Sequence, residues 1–75
     1  MYKLYYENQY NERKCIGEVK DKNDLWDTIQ MYCDKRHFNI KYARTFLTPD
    51  ESEWCIDVGS WSEFYYVSSE LDLMH

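Results

Sequence analysis

The sequence predicts an α+β domain of two layers, a mainly antiparallel sheet with one helix packed across one face. Three observations predict it: apolar residues alternate with polar ones near both ends, one central stretch has helical periodicity, and short turn-rich links join successive strands. The element order is β-β-α-β-β-β, and the 75 residues make one domain, 1–75.

Tyr2, Leu4 and Tyr6 alternate with Lys3, Tyr5 and Glu7, the pattern of a strand with one face on a core. The polar stretch from Asn8 to Arg13 reads as a turn, and Lys14 to Val19 as a second strand completing a hairpin. Gly17 marks a bulge or a close approach of the helix. From Asp21 the period changes. Leu25, Ile29, Tyr32, Cys33 and Arg36 fall on one helical face, with Trp26 beside it. Asp21 or Asn23 suits the N-cap, Asp24 and Asp27 suit the positive end of the dipole, and Lys35-Arg36-His37 the negative end. This gives a helix over about residues 23–37. The aromatic and branched residues from Ile40 to Leu47 predict a third strand, and Thr48 to Ser52 a turn. Trp54, Ile56 and Val58, alternating with Cys55 and Asp57, predict a half-buried fourth strand. Gly59 to Ser62 breaks it, and Phe64 to Val67 makes a fifth strand. The tail from Ser68 to His75 adds a helical turn through Leu71 and Met74 or frays. One sheet face is left without helical cover, carrying aromatic residues.

Composition narrows the function. Hydrophobic residues make up 44% of the chain and aromatic residues 19%, which excludes a disordered acidic tail and implies a core built largely from rings. No stretch is apolar and long enough to cross a bilayer, the first residues lack a signal peptide, and the three cysteines are odd in number and widely spaced. A cytoplasmic location with reduced thiols is the expectation. The net charge is −5, unevenly distributed. Residues 1–48 hold nine Lys/Arg and seven Asp/Glu, giving +2, whereas residues 49–75 hold seven Asp/Glu and no Lys/Arg, giving −7.

The chemical readings are weak. Cys33 and His37 have helical spacing for a shared metal ion, yet Cys15, Cys55 and His75 are scattered, so no metal and no cofactor is expected. No nucleophile motif occurs, and two glycines make no phosphate-cradling loop, so the chain is not read as an enzyme. Lys3, Tyr5, Lys41, Arg44 and Phe46 place bases and aromatics on strands that could neighbour one another, but an overall charge of −5 argues against direct nucleic-acid binding. The converse fits better: the C-terminal acids imitate phosphate and occupy a basic groove of a nucleic-acid enzyme. The candidate partner-binding residues are Asp50, Glu51, Glu53, Asp57 and Glu63 for charge, with Trp54, Trp61 and Tyr65 as anchors. Glu70 and Asp72 complete the seven acids.

The run Trp54-Cys55-Ile56-Asp57-Val58-Gly59-Ser60-Trp61-Ser62-Glu63-Phe64-Tyr65-Tyr66-Val67, within residues 42–67, resembles small uncharacterised acidic proteins of phages and prophages of Gram-positive bacteria. There an aromatic strand, an Asp-x-Gly-Ser turn and a second aromatic strand recur. Asp57, Gly59 and Ser60 also have a purely structural reading, as turn residues. The resemblance implies a setting in the host cell and a role of host-directed inhibitor, anti-CRISPR proteins among them, some of which act as DNA mimics. The expected partner is then a host protein with a basic surface: a nuclease, a CRISPR effector or another defence factor. The alternative is a small structural or regulatory interaction domain, homodimeric through the exposed sheet face, whose acidity serves only solubility.

Overall fold

A computed structural model describes residues 1–74. The elements are β1 (Tyr2–Glu7), β2 (Arg13–Val19), α1 (Lys22–Lys35), β3 (Arg44–Leu47), β4 (Glu53–Asp57) and β5 (Phe64–Ser68). The sheet has the order β2-β1-β5-β4-β3, with every neighbouring pair antiparallel, so the predicted α+β class and two-layer architecture hold. The first and last strands lie side by side within the sheet, and α1 carries the chain from one edge to the other.

The register sorts side chains onto two faces. Leu4, Tyr6, Val19, Trp54, Ile56, Tyr65 and Val67 join the core with Leu25, Ile29 and Cys33 of the helix. Burying each aliphatic side chain contributes about 1.5–3 kcal/mol. Gly17 fulfils both readings of its position. The β1–β2 register slips between Leu4 and Tyr5, leaving Ile16 as the bulged residue, and a Cβ on Gly17 would stand 3.6 Å from Thr28 Cγ2 of the helix.

The ends of α1 are fixed by local hydrogen bonds. Asp21 is the N-cap: its Oδ1 accepts from the Asp24 N–H at 2.8 Å, while Asp24 Oδ2 accepts from the Lys20 N–H at 2.9 Å. At the other end His37 adopts φ 58°, its N–H donates to Asp34 O, and the Phe38 N–H donates to Cys33 O. This is a Schellman closure, with Phe38 folded onto the core. The helix therefore ends two residues before the predicted boundary, because a residue in the left-handed region terminates it.

Three other expectations need correction. The third strand pairs only over Arg44–Leu47. Residues 40–43 return from the helix instead, with Ile40 packed against the core and the Lys41 N–H donating to Val58 O. β4 is buried on both faces and not half-buried: Cys55 lies between Phe46 and Tyr66, and Tyr42 and Arg44 reach over Asp57. The tail packs without regular structure. Leu71 is buried, and the Trp54 indole Nε1–H donates to its carbonyl at 2.8 Å. His75 lies outside the described residues.

Candidate protein interface

The predicted site residues do not form one surface. β4 runs from Glu53 to Asp57, about 13 Å at 3.3 Å per residue, and the candidates gather at its two ends. Trp54 and Tyr65 are core residues and not anchors. Their rings point to the helix side, where the Tyr65 hydroxyl lies 3.3 Å from Cys33 Sγ. In a chain short of aliphatic residues, the core has first claim on large rings.

Asp50 and Glu51 lie at the β3–β4 turn. Asp50 Oδ1 accepts from the Ser52 N–H, the Ser52 hydroxyl and the Thr48 hydroxyl at 2.8–3.0 Å, and these bonds, the Ser52 hydroxyl first, hold its carboxyl below the usual carboxylate range. Glu51 closes the turn at φ 60°. Glu70 stands at the same end, since the neighbouring Ser69 N–H donates to Ser52 O. Asp50, Glu51 and Glu70 make no ion pair among the described residues.

The remaining C-terminal candidates are spoken for by bases from the first part of the chain. Arg13 binds Glu53 at 3.0 Å and Glu7 at 3.4 Å, Arg36 binds Glu63 at 3.0 Å, and Arg44 lies 3.4 Å from Asp57. Arg13 also lies 4.1 Å above the Tyr66 ring, and Arg36 4.6 Å above that of Tyr6. Asp57 is the most enclosed of these acids: Oδ1 accepts from the Gly59 N–H at 2.9 Å, and Oδ2 faces the Tyr42 hydroxyl and Arg44. Its role here is to set the turn that leads into the β4–β5 loop.

That loop presents Trp61, 97% exposed. The β1–β2 turn, with exposed Tyr10, and the C-terminus of α1 lie at the same end of the sheet, because Glu7 pairs with Phe64 and Arg36 with Glu63. Of the three predicted anchors, Trp61 alone is available to a partner, rimmed by the ion-paired Glu63.

Sequence reasoning named Phe46 only for nucleic-acid stacking and passed over Leu47 and Tyr42; they are 51%, 40% and 44% exposed on and beside β3. The signal was present. Arg44-Thr45-Phe46-Leu47 lacks clean apolar alternation, the mark of a strand with no face on the core. Across the face opposite the helix runs a row of five residues in register, Cys15, Tyr5, Tyr66, Cys55 and Phe46. By register that face also carries Lys3, Arg13 and Arg44 against Glu7, Glu18, Glu53 and Asp57, so it has no net positive charge to draw phosphate.

The described residues enclose no pocket and contain no group of three or more potential metal ligands. The Cys33 and His37 pair is separated: Cys33 is buried beside Tyr65, while His37 is exposed beyond the helix end. All three cysteines are free, and no helix among the described residues is long and apolar enough to cross a membrane. No family model matches the chain, and neither a curated protein nor a solved structure is detectably similar to it.

Proposed function

We propose that the chain is a non-catalytic binding protein of phage type, which inhibits a host nucleic-acid-handling or defence protein such as a CRISPR effector. The observation that carries this reading is Trp61, a tryptophan 97% exposed at the tip of a loop that Asp57 and Gly59 hold in place. Tryptophan is the residue type most enriched among interface hot spots, where its loss costs about 2 kcal/mol or more. Charge has a second role. With Asp50, Glu51 and Glu70 at the other end of the sheet and a net charge of −5, the molecule is drawn toward a basic surface, and the rate of that encounter falls with salt. A phosphate-imitating contact rests on those three acids, because Glu53, Asp57 and Glu63 already have cationic partners.

Immobilised protein, challenged with a Gram-positive host lysate at low and high salt, tests the reading. It expects salt-sensitive retention of a nucleic-acid-handling or defence protein whose nucleic-acid binding is displaced by the added chain. Trp61→Ala removes retention, and changing Asp50, Glu51 and Glu70 to Asn or Gln slows capture. Retention by the Trp61→Ala variant at the wild-type level removes the main support. The aromatic row on the open sheet face favours a second reading, an interaction domain whose acidity serves solubility. For that domain neither neutralising the turn acids nor raising salt alters binding.

A further inference from the structure

We propose that two copies of this chain pair through the free edge of β3, antiparallel and centred on Thr45, joining their sheets into one. The inference does not depend on any host target.

The two edges of the sheet differ. β2 is interrupted by the bulge at Ile16 and carries Arg13, Lys14 and Glu18, the charged and kinked devices by which edge strands avoid pairing. β3 has neither bulge nor proline, and its one charge, Arg44, lies beside Asp57. All four of its residues are exposed, and apolar Phe46 and Leu47, on opposite faces, line it together with the adjacent Tyr42.

The backbone phase determines how a second strand would bind. The Thr48 N–H donates to Glu53 O at 2.9 Å, so Thr48 and Glu53 oppose each other as a hydrogen-bonded pair of the hairpin. Antiparallel ladders alternate, so Phe46 and Arg44 also direct their N–H and C=O groups toward β4, and Thr45 and Leu47 direct theirs outward. Ala43 continues the outward phase. A two-fold axis perpendicular to the sheet keeps each side chain on its own face, so opposed residues must have the same parity. Centring on Thr45 satisfies this. Thr45 then faces Thr45 of the second copy, and Ala43 faces Leu47 twice, which gives about six backbone hydrogen bonds. Centring on Phe46 leaves about four such bonds between Thr45 and Leu47 and sets Ala43 against Pro49 of the turn, which has no N–H to offer in return.

Side-chain chemistry agrees with this register. Arg44 comes opposite Phe46 of the second copy, an arginine against an exposed ring, on both sides of the axis. Pairing through an exposed edge uses main-chain bonds for affinity and such alternate side chains for register.

Light scattering coupled to size exclusion, at high micromolar protein, is expected to give twice the 9.3 kDa chain mass. Thr45→Pro removes an outward N–H and no bond within the hairpin, and it is expected to give a monomer with an unchanged circular dichroism spectrum. The register is tested separately in a Cys15→Ser background. There Thr45→Cys places two thiols at the axis with Cα atoms about 5.5 Å apart, a disulfide distance. Oxidised glutathione should therefore link Thr45→Cys into a covalent dimer faster than Phe46→Cys. A wild-type monomer at that concentration overturns the proposal. So does a dimer that survives Thr45→Pro, or a Phe46→Cys variant that crosslinks as fast as Thr45→Cys.

Discussion

Gly59→Ala isolates what holds the Trp61 loop. Gly59 sits at φ 96°, and a Cβ built on it would lie 2.9 Å from Lys41 Cβ, a backbone-proximal atom that cannot swing away. Two costs combine. Forcing an L-residue into positive φ costs about 1–2 kcal/mol, and crowding a filled site adds about 1–3 kcal/mol. The total, about 2–5 kcal/mol, lowers the melting temperature by roughly 8–40 °C in a domain of this size, at about 4–8 °C per kcal/mol. Thermal unfolding followed by circular dichroism measures it. The two costs separate in a double-mutant cycle with Lys41→Gly, which removes the crowded Cβ and leaves the backbone strain. The expected coupling is about 1–3 kcal/mol in the direction of rescue, with the backbone cost unrecovered. A Gly59→Ala melting temperature within a few degrees of wild type would refute the account of the turn. Additive behaviour with Lys41→Gly would show that Lys41 does not constrain it.

Two further predictions concern stability. His37→Gly should raise the melting temperature by a few degrees, since His37 holds φ 58° to close the helix and glycine adopts that region without the Cβ penalty, a gain of about 0.5–1 kcal/mol after its entropy cost; an unchanged or lower melting temperature by calorimetry contradicts it. Alkaline pH should unfold the protein between about pH 10 and 12. Burial, then the Glu63 carboxylate, pushes the Tyr6 phenol up to about 12, and burial, then Cys55, pushes Tyr66 up to about 12. Above the usual phenolic value of 10 the unfolded chain releases protons that the folded chain keeps, so stability present below pH 10 is lost as pH rises toward 12. Melting temperature against pH, read beside tyrosinate absorbance, checks this; a flat profile across the window counts against it, and Tyr66→Phe should make the fall shallower.

The helix and the alternating strands were legible because their periods are local properties of the chain. Leu25, Ile29 and Cys33 repeat as a helical stripe, and Leu4 and Tyr6 as a strand face, whatever their partners are. The pairing of β1 with β5 has no such signature, since it joins residues about sixty positions apart through cross-strand contacts. The site was harder to read for a specific reason. Trp54, Trp61 and Tyr65 are equally suited by type to a core or an interface, and only the register separates them. Trp54 and Tyr65 fall on the helix side of adjacent strands, and Trp61 falls in the loop between them. The missing alternation of Arg44-Thr45-Phe46-Leu47 marks a strand with no face on the core, but that this strand lies at the sheet edge is a property of sheet order, which the four residues do not encode.

The charge asymmetry is the feature that the fold changes most. Along the sequence, a weakly basic part precedes an acidic one, and the contrast suggests an acidic face. In three dimensions the sheet interleaves them, placing β1 beside β5 and β3 beside β4, so that Arg13, Arg36 and Arg44 each meet a carboxylate from beyond residue 49. Each pair is only partly sheltered and adds little to stability singly. Their effect on recognition is larger, because they remove Glu53, Asp57 and Glu63 from the negative field and leave it concentrated at the β3–β4 turn, about the length of β4 away from Trp61. Steering and anchoring are therefore separable. Salt should act on the association rate through the turn acids, and Trp61→Ala on the dissociation rate through the loop, with little interaction between the two perturbations.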